Sequence, residues 1–151
     1  MRYKILVITI VLLGIGLLSC GRKPTEAPGE IAWLHNIDSA RVVAAEQDKP
    51  IMIDFMADWC PPCQQMEKTT FQHREVIARS LEFIPVRIDV DEQAEVAIAY
   101  NGNARKYGGV GIPNMLFIDS QDRRLRHKVG YRDGEQLLAV MDSVLSEYRL
   151  Q

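Results

Sequence analysis

Apolar and polar positions change period several times along this chain, and each change marks an element. Ile51-Met52-Ile53-Asp54-Phe55-Met56 is a short, nearly continuous apolar run holding one acid, the pattern of a strand buried on both faces. Ahead of it, DSARVVAAEQD at 38–48 is helix-compatible, with Asp38 or Ser39 as N-cap and Lys49-Pro50 as the stop. Residues 64–81 have a helical pattern with a kink near Thr69-Thr70-Phe71, and 82–90 alternate as a second buried strand. Residues 92–107 read as a helix interrupted at Asn101-Gly102-Asn103. Strands over 115–119 and 125–129 flank a turn at Ser120-Gln121-Asp122. The clearest element is the last. Leu137, Leu138, Met141, Val144, Leu145 and Tyr148 form one stripe of a 3.6-residue helix, and Asp133 and Gln136 have capping-box spacing. A βαβ unit followed by a hairpin and a closing helix predicts a small α/β sandwich.

The first twenty residues follow another logic. Arg2 and Lys4 precede a charge-free run over residues 5–18. As a helix this run is about 21 Å long, short of the ~30 Å bilayer core, and it suits a secretory leader better than a permanent span. Leu17-Leu18-Ser19-Cys20 resembles a bacterial lipobox. That resemblance implies cleavage after residue 19 and acylation of Cys20, so that lipid and not a helix holds the domain to a membrane. The alternative is an uncleaved N-terminal anchor. Gly21 stands where some inner-membrane lipoproteins carry Asp, which points to the outer membrane. Residues 21–30, GRKPTEAPGE, lack apolar periodicity and read as a flexible tether spanning roughly 16–19 Å. The expected organisation is a leader at 1–19, a lipidated cysteine and tether at 20–30, and one domain at 31–151.

Composition fits one globular domain: 151 residues, 47% hydrophobic and 25% charged. The net charge of −2 argues against a nucleic-acid partner, which calls for a dominant basic face. Loss of Arg2 and Lys4 with the leader makes the balance more acidic still. Three cysteines cannot all pair within one chain, and with Cys20 assigned to lipid the other two form one motif.

That motif is Cys60-Pro61-Pro62-Cys63. A C-x-x-C that follows a buried strand and opens a helix makes a reactive dithiol. The N-terminal sulfur sits where unpaired N–H groups and the helix dipole favour thiolate, the attacking species. Cys63, one turn inside, is expected to be more buried and to resolve the mixed disulfide. With Cys60 as N-cap, Pro61 and Pro62 fill N1 and N2, and neither has an N–H. The nearest helix donors left for Cys60 are those of Cys63 and Gln64. A moderately lowered thiol pKa follows, nearer ~7 than the ~3.5 of a strong oxidant. A structural zinc needs about four ligands, and no second C-x-x-C is present.

The run Asp54-Phe55-Met56-Ala57-Asp58-Trp59-Cys60-Pro61-Pro62-Cys63 resembles the thioredoxin active-site segment, with its buried acid and the Trp before the first Cys. Val110-Gly111-Ile112-Pro113 resembles that family's Gly-x-Pro loop. Over roughly residues 40–149 the likeness is to the C-terminal thioredoxin-like domain of the membrane reductase DsbD, carried by KPIMIDFMADWC, by Glu67-Lys68-x-Thr70-Phe71 and by VGIPNMLFID. The chain departs from the pattern in two places. Asn114 stands where the family usually has Thr, and Pro-Pro replaces Gly-Pro or Val-Ala.

The resemblance implies a thioredoxin fold, with a central mixed β-sheet flanked by helices, and a cis-Pro113 facing the dithiol. It implies a thiol–disulfide oxidoreductase facing the periplasm, with Cys60 attacking and Cys63 resolving. Asp54 is either a proton relay to Cys63 or a buried acid paired with a base such as Arg87, whose position resembles a lysine near the thioredoxin acid. Trp59 is a core-edge aromatic, part of the substrate rim, or both. The backbone of Ile112 beside Pro113 is placed to hold an extended substrate strand. The partners implied are protein disulfides, a membrane thiol donor and the bilayer through Cys20. No soluble cofactor is needed, since the electrons reside in the two sulfurs, and the expected direction is reduction. An oxidase or isomerase is the alternative direction, and a non-catalytic Cu(I)- or partner-binding module is the alternative class. His35, His73 and His127 read as surface or core-edge residues. The run Arg123-Arg124-Leu125-Arg126-His127-Lys128 reads as a charge-protected edge strand rather than a lipid-binding patch.

Overall fold

A computed structural model describes residues 29–101 and 111–150. The leader, Cys20, Gly21, most of the tether, Val110 and the expected interruption at residues 102–103 lie outside the described residues. The elements in order are α1 (Ile37–Gln47), β1 (Ile51–Met56), α2 (Pro61–Lys68), a 3₁₀ turn (Thr70–Gln72), α3 (Arg74–Ser80), β2 (Ile84–Asp89), α4 (Ala94–Asn101), β3 (Asn114–Ile118), β4 (Arg124–Val129) and α5 (Gly134–Tyr148).

The four strands form one mixed sheet in the order β2-β1-β3-β4. β1 runs parallel to β2 and antiparallel to β3, and β4 pairs antiparallel with β3. The apolar run of 51–55 is central and buried throughout, as a strand covered on both faces must be. Its pleat divides the core. Met52, with Met115 and Phe117, packs against Met66, Phe71, Val76, Leu137 and Met141 of α2, the 3₁₀ turn, α3 and α5. Ile51, Ile53 and Phe55 face Ile37, Ala40 and Ala44 of α1 and Ala97 of α4. The result is an α/β/α sandwich, the expected fold class.

Local chemistry sets the element ends. The first helix starts earlier than expected: its N-cap is Asn36, whose side chain accepts from Ser39 N–H at 2.8 Å. Asp38 lies inside the first turn and pairs with Arg41. The expected kink is present because two threonines turn their hydroxyls to backbone carbonyls, Thr69 to Gln65 at 2.8 Å and Thr70 to Arg132 at 2.6 Å. In α5 the capping box forms as predicted, with Gln136 N–H donating to Asp133 Oδ1 at 2.8 Å and Asp133 N–H to Gln136 Oε1 at 3.3 Å. Leu137, Met141, Val144 and Leu145 of its stripe are buried, each contributing ~1.5–3 kcal/mol. The basic run forms β4 at a sheet edge, with Arg126 paired to Glu147 across to α5.

Candidate active site

β1 ends at Met56, and the chain turns through Ala57, Asp58 and Trp59 to deliver Cys60 to the start of α2. Cys60 is the N-cap, with extended backbone, and the two prolines occupy N1 and N2. One helix N–H reaches its sulfur, that of Cys63 at 3.4 Å. The second expected donor is spent on the helix ladder, because Gln64 N–H bonds the Cys60 carbonyl at 3.0 Å. Cys60 and Cys63 are joined as a disulfide, with their Cα atoms 5.3 Å apart. Both are buried, Cys60 3% exposed and Cys63 5%. The expected greater burial of Cys63 is therefore absent: both cysteines lie under one cover. That cover is apolar: Ala57 is buried with the pair, and Met56, Val90 and Ile112 pack against them.

The Ile112–Pro113 peptide is cis, and the Ile112 side chain touches the dithiol cluster. Asn114, the departure from the family's Thr, is fully buried. Its Oδ1 lies 2.7 Å from His127 Nε2 on β4. Burial and the charge of Arg124 hold that imidazole below its ordinary pKa, and His127 lies half-buried at the edge of the core. Trp59 is 55% exposed, with its indole N–H donating to Asp91 Oδ2 at 2.5 Å. It stands at the surface and not in the core.

Asp54 lies on the α2 side of β1, 2% exposed. Its Oδ2 accepts from Arg87 Nε at 3.1 Å, while Oδ1 is buried without a partner among the described residues. Arg87 Nη2 is 2.7 Å from Glu67 Oε2, so one guanidinium serves two carboxylates. Burial pushes the Asp54 carboxyl up to about 6, against the pull of Arg87 and with a small upward push from Glu67. Asp54, Cys63, Glu67, Lys68 and Arg87 line one cavity of about 180 Å³. The structure thus brings Asp54 together with Cys63, and Ile112 together with both cysteines. A larger cleft of about 680 Å³ elsewhere is lined by charged residues such as Asp119 and Arg123, already paired with each other, and contains neither cysteine.

Two contributors had been given no role from the sequence. Glu67 lies four residues after Cys63, on the same helix face, a spacing that could have flagged it. Trp33, whose ring faces the Arg87 guanidinium at 4.4 Å, sits in a short extended segment with no period to betray it. Among the described residues no cluster of three His, Cys, Asp or Glu side chains is arranged for a metal, and no helix is long and apolar enough to cross a membrane.

A family model described as thioredoxin-like matches residues 32–120. The thiol:disulfide interchange protein DsbD of Yersinia pestis is 34% identical over 100 residues, covering 64% of this chain and 16% of that protein. The chain therefore spans only a small part of those relatives. The thiol:disulfide interchange protein TxlA of Synechococcus elongatus is 26% identical over 142 residues, 94% of this chain and 71% of the relative. Among solved structures, the oxidised C-terminal domain of Neisseria meningitidis DsbD superposes with a TM-score of 0.58 at 23% identity, covering 74% of this chain and 97% of that one. With more than half of its length matched by the family model, a mixed sheet of that fold and a bonded Cys60–Cys63 pair at a helix start, the chain belongs to the thioredoxin-like family and has the fold of a thiol–disulfide oxidoreductase.

Proposed function

We propose that this protein is a lipid-anchored reductase of protein disulfides, working in the bacterial periplasm through Cys60 and Cys63. The observation that carries the reading is the placement of the pair: a closable dithiol at a helix start, with Cys63 and the buried Asp54 open to one cavity. In the reduced protein, Cys60 thiolate attacks a substrate disulfide, forming a mixed disulfide and releasing one substrate thiolate. Cys63 then gives its proton to Asp54 and attacks the Cys60 sulfur. The second substrate sulfur leaves as a thiolate, and the disulfide seen here closes. Two electrons pass to the substrate. With a pKa of about 6, Asp54 is mostly ionised at neutral pH and able to accept that proton.

Trp59 and the backbone at Ile112 and Pro113 form the substrate rim, where an extended segment docks by β-type hydrogen bonds. A membrane thiol donor restores the dithiol, and acylated Cys20 keeps the domain at the bilayer, with Gly21 favouring the outer membrane. Rapid trapping of thiols in intact cells with a mass-shifting alkylating reagent tests the direction. The expected result is that Cys60 and Cys63 are mainly reduced. A steady-state disulfide would replace the reductase with an oxidase or isomerase.

A further inference from the structure

The cation beside Asp54 is held in place by aromatic rings as well as by carboxylates. The Arg87 guanidinium carbon lies 4.4 Å from the Trp33 ring centroid and 5.2 Å from that of Phe71. The two rings meet edge to face, with centroids 5.2 Å apart, and so present adjoining walls to one cation. Arg87 points its Nε at Asp54 and its Nη2 at Glu67. An arginine side chain has many rotamers, and an exposed carboxylate such as Glu67, half in solvent, is a weak clamp by itself. The indole face supplies an attraction that depends on where the guanidinium lies.

Trp33 is itself fixed from the backbone. Leu34 N–H donates to the Pro85 carbonyl at 2.9 Å, and Arg87 N–H donates to the Leu34 carbonyl at 2.8 Å. The segment ahead of α1 thus runs alongside β2 at Val86 and delivers an indole to the side chain of the very residue whose amide it accepts from.

We infer that Trp33 is a positioning residue of the dithiol site: it holds the Arg87 guanidinium on Asp54 and thereby sets when Asp54 carries its proton. The effect on turnover rests on the proposal that Asp54 serves Cys63, whereas the effect on Asp54 does not. The charged and titratable groups around that carboxyl are Arg87 from β2, Glu67, Lys68 and Cys63 from α2, and Asp58 from the turn after β1. Of these only Arg87 bonds it. Loss of the ring frees Arg87 to follow Glu67 towards solvent. Burial then acts on Asp54 with less opposition, and its titration moves up.

The test is a carbon-13 NMR titration of the Asp54 carboxyl in the full chain, purified in detergent and kept in the disulfide form, where neither cysteine titrates. The Asp54→Asn spectrum identifies the signal. Trp33→Leu is expected to raise the midpoint by about half a pH unit or more, and Arg87→Gln by about one or more. In the Arg87→Gln background, adding Trp33→Leu should produce no further rise, since the ring acts through the cation. Trp33→Phe, which keeps an aromatic face, should stay close to wild type. If the leucine variant does not fold, Trp33→Met carries the same cycle with more of the volume retained. An unchanged or lowered midpoint, a shift of equal size with Arg87 already gone, or a phenylalanine variant that shifts like leucine overturns the inference. The pH profile of disulfide exchange, measured on the same proteins, tests the other reading separately. If the Asp54 midpoint moves as stated while the rate profile does not, the inference about Trp33 stands and Asp54 as proton acceptor for Cys63 falls.

Discussion

Removing the charge at Asp54 should make the protein more stable at neutral pH. A carboxyl with a folded-state pKa of about 6 and an ordinary value of 3.8 holds its proton more tightly folded than unfolded. Its effect on stability is therefore neutral below pH 3.8, grows into a cost as pH rises, and is complete above about 6. The gap between the two values corresponds to about 3 kcal/mol at ~1.36 kcal/mol per tenfold. Asp54 is 2% exposed, so solvent screening takes little of this away. Asparagine keeps the shape and has no charge to bury, and Arg87 retains Glu67 as partner at 2.7 Å. Urea unfolding of wild type and Asp54→Asn, both oxidised, at pH 4 and pH 8 measures the effect. The stability difference should move in favour of Asn by about 2–3 kcal/mol between the two pH values, which is about 1 M urea or more in midpoint for an m-value near 2 kcal/mol/M. The pH dependence is the readout, because lost or gained hydrogen bonds of the amide offset both measurements alike. A difference that stays constant with pH, or moves against Asn, would refute the assignment of a burial-raised carboxyl. The same variant should slow disulfide exchange at pH 7 if Asp54 accepts the Cys63 proton.

Three other outcomes are expected. Cys63→Ser should accumulate mixed disulfides with substrate proteins on gels run without reductant, and Cys60→Ser should not; the reverse pattern would exchange the roles of the two sulfurs. Asp133→Ala removes the acceptor for Gln136 N–H at 2.8 Å and should cost about 0.5–2 kcal/mol in chemical denaturation, with no change in the exchange rate. Mass spectrometry of membrane-extracted protein should find a diacylglyceryl Cys20 at the N-terminus. A Cys20→Ala chain that is still cleaved and still membrane-bound would rule out the lipid anchor.

The parts of this fold that can be read from the sequence are those with a period or a strong local rule. The stripe of α5 and its capping box, the run of β1 and the proline pair after Cys60 all behave as their patterns predict. Asp54 stood out as the single acid in an apolar run, and Arg87 as its base; they pair at 3.1 Å because both side chains project from neighbouring parallel strands at one register position. Less legible were features decided by one side chain's reach. Asn36, not Asp38 or Ser39, caps the first helix, since each of the three is a competent cap and only the chain's path selects among them. Trp33 meets Arg87 through one β-bridge of the segment before α1, a contact between distant positions that leaves no mark in local composition. The near-equal burial of the two cysteines also escaped prediction, because Ala57, Met56, Val90 and Ile112 pack over both through tertiary contacts that helix position alone does not reveal.

The proposed reductase direction follows from how little the site offers a thiolate at Cys60. Proline at N1 and N2 deletes two donors that a helix start normally presents, leaving the Cys63 N–H at 3.4 Å. The neighbours packed on the pair are apolar, and apolar burial disfavours the charged form of a thiol. Arg87, the nearby cation with the firmest anchorage, is committed to Asp54 and Glu67. The cavity beside Cys63, which Cys60 does not line, places three acids, Asp54, Asp58 and Glu67, against Arg87 and Lys68, a balance that opposes negative charge on the Cys63 sulfur. A dithiol whose reduced form gains little stabilisation gives up its electrons readily, which is the property the proposed reductase needs. Arg87 and Glu67 thus bear on the Asp54 carboxyl, whereas the proline pair and the apolar cover bear on Cys60. In the proposed reductase, proton handling at Cys63 and electron direction at Cys60 therefore rest on two adjoining parts of one site.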